Sequence, residues 1–178
     1  MSLKKSRIIS TIGIFLLCFL FHFIYDWLPC TFTAVFFPVN ESIWEHMKLL
    51  FSAVCFYSII DYIILEKFKI RYNNFFTSIF ISAITIIPIY LIMFLPIYYK
   101  IGQNMVITIG IMLVAIIISQ VISFYILSAK DCDKLNIISL ILIIVTYIVF
   151  AYLTYYPIKN ELFFDTQEEK YGLNNYNV

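Results

Sequence analysis

Charge is scarce in this chain. Twelve Lys or Arg and eleven Asp or Glu make up 13% of its 178 residues, about half the ~25% of a soluble domain. The net charge of +1 comes without a basic stripe, so the electrostatic footprint of a nucleic-acid binder is missing. The four glycines form no phosphate-cradling loop. The only two histidines, His22 and His46, belong to no H-E-x-x-H or repeated E-x-x-H pattern. The four cysteines contain no C-x-x-C. No serine elbow and no cysteine–histidine motif offers a covalent nucleophile. Internal repeats are also missing, which argues against an inverted-repeat transporter working alone.

What the chain has is oil. It is 62% hydrophobic with mean hydropathy +0.92. Apolar runs of 18 or more residues read as bilayer spans, because a helix satisfies its own backbone amides in lipid. Five are present: Ile8 to Leu28, Glu41 to Leu65, Phe75 to Tyr98, Met105 to Ser128 and Leu135 to Tyr156. The fold class is therefore all-α, a polytopic membrane helix bundle of about five transmembrane helices. Pro88 offers a kink in the third span. The first run is longer than a signal peptide's core and has no clean small-x-small site after it, so it is read as a retained span.

Loop charges predict direction. Lys4, Lys5, Arg7, Lys67, Lys69, Arg71, Lys130 and Lys134 flank one side; Lys100, Lys159 and Lys170 lie on the other. That places the N-terminus inside and the C-terminus outside a plasma membrane, with Trp27 and Trp44 at one outer boundary. The expected partition is a bundle over residues 1–156 and a polar extracytoplasmic tail over 157–178. Cys30 and Cys132 then face opposite compartments and cannot pair, while Cys18 and Cys55 lie within spans.

The polar exception to this oil is concentrated. "FFPVNESIWEHMKLLF" opens the second span, and "HFIYDW" closes the first. A short connection makes these spans antiparallel neighbours, which brings His22, Tyr25, Asp26, Asn40, Glu41, Glu45, His46 and Lys48 to one depth. Two readings stand. Ser42 with Glu45 three residues on is a capping-box pattern, Glu41 suits a helix N-terminus, and Asp26 can pair with Lys48 or His46. Alternatively the groups line a ligand pocket, since ionisable groups near lipid need a partner, a proton or water. Glu41 and Glu45 repel at i, i+4, so Lys48 or a cation is required to offset them. Glu45 and His46 are separated by about 100° around the helix and cannot both aim straight at one ligand. A divalent metal held by His22, Asp26, Glu45 and His46 fits the donor types. Asp165, in "ELFFDTQEEKYGL", either lies over this cleft or caps a short helix that Gly172 ends. Asp61 is expected to snorkel or pair with Lys67 or Lys69, and Gln120, Ser123, Ser82 and Thr85 to bond between helices. Gly110 is read as a close helix contact.

At "HFIYDW", "FFPVNESIWEHMKLLF" and "LFFDTQEEKYGL" the chain resembles a family of small multi-pass bacterial membrane proteins of unknown function. The matching pattern is H-x-x-Y-D-W, P-V-N-E-S-x-W-E-H-x-K and L-F-x-D…Y-G. It falls on His22, Tyr25, Asp26, Pro38, Asn40, Glu41, Ser42, Trp44, Glu45, His46, Lys48 and Asp165. The resemblance implies a five- or six-span protein of a Gram-positive plasma membrane, and it brings no substrate.

Three functions follow as expectations. The first is an outward-facing polar pocket for a small ligand or cation, lined by His22, Tyr25, Asp26, Asn40, Glu41, Glu45, His46, Lys48 and Asp165. The second is a metal-dependent hydrolase at the outer leaflet, with Glu41 or Glu45 activating water. The third is a structural subunit whose cluster serves assembly with a protein partner or a second copy. The partner common to all three is the lipid bilayer.

Overall fold

The computed structural model describes residues 1–102 and 104–173. The last five residues of the expected tail lie outside this set. Among the described residues there are six helices: α1 (Leu3–Trp27), α2 (Thr31–Phe36), α3 (Ile43–Lys67), α4 (Phe75–Ile101), α5 (Met105–Ser128) and α6 (Asp133–Tyr155). All but α2 are long and apolar enough to cross a membrane. At about 1.5 Å per residue, even α6 with 23 residues exceeds ~30 Å of hydrocarbon. The chain is an all-α, multi-pass membrane protein by this measure. Helix α4 runs on through Pro88 and Pro96. The short α2, in the connection between the first two spans, was not foreseen.

Helices α1, α3, α4 and α5 close a ring, each packed on the next, and α6 lies outside it against α4 and α2. The polarity of the bundle is inverted relative to a soluble one. Ile137, Ile141, Ile144 and Ile148 on α6 face outward, while Ser10, Ser78, Ser82, Ser119 and Ser123 are buried. Small polar residues let helices approach and bond across the contact where no water can. Ser119 Oγ donates to the Ser82 carbonyl at 3.0 Å, and the Ser78 and Ser123 hydroxyls meet at 2.7 Å. Thr85 instead donates to Ile81 of its own helix.

The close contact falls at Gly13 rather than Gly110. A Cβ on Gly13 would collide with the Tyr57 ring, whereas none of the described residues lies within 4 Å of one on Gly110. Asp61 also departs from expectation. It pairs with Arg7, read from sequence as a loop charge, through contacts of 3.0 and 2.9 Å. Arg7 Nη1 further donates to Gln120 and Ser123, so a buried network ties α1, α3 and α5 at the N-terminal end. Lys67 is the last residue of α3 and Lys69 lies beyond it, and the buried carboxylate takes the arginine of the neighbouring helix α1 instead.

At the opposite end the tail folds back. Strands β1 (Phe164–Asp165) and β2 (Lys170–Tyr171) form a hairpin where a short helix was expected. Asp165 Oδ1 accepts from the backbone N–H of Gln167 at 2.7 Å and of Glu168 at 3.2 Å, and these local bonds compete with helix. Glu169 then takes a left-handed turn (φ 51°), as does Gly172 (φ 54°). Phe163 is buried and stacks on Trp44, and the Trp44 backbone N–H donates to the Leu162 carbonyl at 2.9 Å.

Candidate functional site

The polar segment 38–48 divides into two sets of side chains that face opposite ways. The inward set is a lock. Glu45 and Lys48 are 1% and 0% exposed, with Lys48 Nζ 2.6 Å from Glu45 Oε2. Lys48 Nζ also donates to the Ala34 carbonyl (2.8 Å) and to Thr154 Oγ1 (2.9 Å). Thr154 donates to Glu45 Oε1 at 2.7 Å, and the Val39 N–H donates to Oε2 at 3.2 Å. A buried ion pair is tolerated when its remaining hydrogen-bonding sites are filled, and here they are. The pair joins α2, α3 and α6.

Ser42 is the N-cap of α3, accepting from the Glu45 N–H at 3.4 Å. The reciprocal arm of a capping box is missing, because the Glu45 carboxylate reaches Val39 and Lys48 instead. Asn40 and Asp165 hold the loop to the tail. Asn40 Nδ2 donates to the Gly172 carbonyl (3.0 Å), its Oδ1 accepts from the Ser42 N–H (2.9 Å), and Asp165 Oδ2 accepts from the Glu41 N–H (2.9 Å).

The outward set is His22, Glu41 and His46. His22 Nε2 lies 3.3 Å from Glu41 Oε1, and His46 Nε2 lies 3.6 Å from Glu41 Oε2. One donor atom from each of the three lies within 4.8 Å of the others. Helix periodicity explains the division: His46 follows Glu45 by about 100°, so it turns toward α1 as Glu45 turns inward. His46 Nδ1 is 2.9 Å from the Ser42 carbonyl. A carbonyl only accepts, so Nδ1 donates that bond and Nε2 is the ring nitrogen turned toward Glu41. Among the described residues His22 Nδ1 has no hydrogen-bond partner, so that ring lacks the same lock. The His22 hydrogen bond holds the Glu41 carboxyl below the usual carboxylate range; burial opposes this, and the charges of His46 and His22 add to the lowering.

These three groups stand at one end of a recess of about 400 Å³ between α1 and α5, floored by α3 and α4. Its walls are largely apolar: Cys18, Phe19 and Phe23 from α1, Leu49 and Leu50 from α3, Tyr90 from α4, and Met105, Ile109 and Met112 from α5. Thr108 and Gln167 are the other polar lining residues.

Of the residues singled out from sequence, the structure therefore brings His22, Glu41 and His46 together. Asp26 is exposed and does not join them, and Tyr25 is half-buried without lining the recess. Lys48 pairs with Glu45 and with neither Asp26 nor His46. Thr154 was missed as a partner of that pair. A lone threonine in an apolar span is common and gives no sequence signal. Gln167 was missed because its placement depends on the hairpin.

Comparison with known proteins agrees at the level of family. The chain belongs to a family of unknown function (DUF6512), whose model covers residues 1–173. No curated protein and no solved structure matches it.

Proposed function

We propose that this protein is a multi-pass plasma-membrane protein that binds a divalent transition ion of the zinc class at its extracytoplasmic end, through His22, Glu41 and His46. The observation that carries this reading is the convergence of the donors. One ligand atom from each of His22, Glu41 and His46 lies within 4.8 Å of the other two, and the two carboxylate oxygens of Glu41 each face one imidazole, Oε1 at 3.3 Å from His22 Nε2 and Oε2 at 3.6 Å from His46 Nε2; a tetrahedral zinc with bonds of 2.0–2.1 Å needs donors about 3.3–3.4 Å apart, a small contraction of this cluster. The Ser42 carbonyl on His46 Nδ1 supports it further, since metal-binding histidines characteristically donate their other N–H to such an acceptor. Three protein ligands would leave one position for water or a further ligand, and all three side chains line the recess.

Binding is favoured over hydrolysis. In this arrangement Glu41 is a ligand and Glu45 is engaged by Lys48, so neither is free to act as the base that a metal-bound water requires. The outward orientation rests on the loop charges. It is tested by an impermeant maleimide on intact cells. Cys30 is exposed at the site end, and hydrogen bonds from Thr33 hold its thiol below the usual range, which favours reaction. Labelling at Cys30 and not at Cys132 is expected; the reverse overturns the orientation.

Metal content tests the site. Protein purified without chelator should carry close to one zinc per chain, and His22→Ala and His46→Ala should lose most of it while Asp26→Ala keeps it. Zinc-free protein that also takes up none on titration would overturn the reading and leave the three side chains as a hydrogen-bonded trio.

A further inference from the structure

The recess has polarity along its length, and this deepens the metal reading on which it rests. Among the described lining residues, His22, Glu41, His46, Thr108 and Gln167 gather at the loop end, and of the deeper ones only Tyr90 and Cys18 carry a polar atom. From there the apolar wall descends along α5 from Thr108 to Met112, about 6 Å at 1.5 Å per residue. That is roughly two-fifths of one leaflet's ~15 Å of hydrocarbon. The floor is buried, with Cys18 1%, Leu50 2% and Tyr90 3% exposed. The rim is not: Phe19, Phe23 and Met105 are 37%, 47% and 75% exposed. Those side chains stand on helices long and apolar enough to span a membrane, so the open side of the recess is one that lipid can reach. Helices α1 and α5 are joined at their other end by the bonds from Arg7 to Gln120 and Ser123.

We infer that the recess takes a lipid from the leaflet, its chain along α5 and an anionic headgroup oxygen on the metal's fourth position. The charges are complementary. A divalent ion with two neutral imidazoles and one carboxylate keeps a net positive charge and calls for an oxyanion. The shape agrees too. A wholly polar ligand leaves the apolar wall bare, and a wholly apolar one leaves the metal open, whereas an anionic lipid satisfies both ends. The volume of about 400 Å³ lies within the range of small-molecule sites.

The experiment measures zinc and lipid in the same zinc-loaded samples, with dioleoyl phosphatidic acid as probe and dioleoyl phosphatidylcholine as neutral control. Wild type should bind about one phosphatidic acid per chain, well above the control. Ile109→Trp and Met112→Trp, which fill the recess away from the ligands, should weaken that binding about tenfold or more while zinc stays at wild-type level. Retained zinc also reports that these variants are folded. Equal binding of the two lipids, no effect of either tryptophan, or displacement by inorganic phosphate at the same concentration as by the lipid overturns the inference. Absence of zinc from wild type overturns the metal reading instead, and it is read separately from the lipid measurement.

Discussion

Lys48→Ala should be among the most damaging single changes in the molecule. Lys48 is fully buried and donates to Glu45, Ala34 and Thr154. Truncation strands the Glu45 carboxylate, 1% exposed, without a counter-charge. Removing one partner of a buried pair costs about 3–5 kcal/mol. For a chain of this size each kcal/mol moves Tm by about 2–4 °C, so a fall of about 6–20 °C is expected. The assay is thermal unfolding in detergent, with and without the second change. Glu45→Leu with Lys48→Met removes both charges and leaves only the neutral partners, Val39 N–H, the Ala34 carbonyl and the Thr154 hydroxyl, unmatched. The double variant should therefore be more stable than Lys48→Ala, against simple additivity. A fall below about 3 °C for Lys48→Ala, or a double variant worse than the single, would refute the claim that this pair locks α2, α3 and α6.

Gly13→Ala should destabilise the α1–α3 contact by about 1–3 kcal/mol, because its Cβ meets the Tyr57 ring; Tyr57→Leu in the same background should restore part of the loss in the same melt. Gly172→Ala places a Cβ 2.3 Å from the Thr154 carbonyl at a positive φ and should undock the tail, read as faster proteolysis between residues 157 and 173 with the helices intact. Zinc loading should fall on going from about pH 7.5 to about pH 5, because protons compete with the ion for the imidazole lone pairs. Glu41 does not drive that fall, since its carboxyl is held below the usual range and stays ionised; loading that is flat over this interval would count against histidine ligands.

Much of the architecture was legible because hydrocarbon imposes a local rule. Every span must be apolar and about 20 residues long, so hydropathy alone located all five long helices. The boundaries of α5, Met105 and Ser128, were read as the structure has them. The 100° step between Glu45 and His46 likewise foretold that they face apart. The rest depended on what lies across the bundle. Asp61 finds Arg7 through the ring closure of α1, α3 and α5, and Lys48 finds Thr154 more than a hundred residues away. No period or spacing in the chain encodes either.

The sequence by itself determined that this is a membrane bundle with one polar end, because composition and the length of apolar runs suffice for that. Only the tertiary structure decided which polar groups meet. Helix rotation sends Glu45 inward to a lysine and His46 outward to Glu41 and His22, while the docked hairpin adds Gln167 to the rim. Partner choice among buried charges is set by which helix stands opposite and how far it has turned, and that information exists only after the helices have packed.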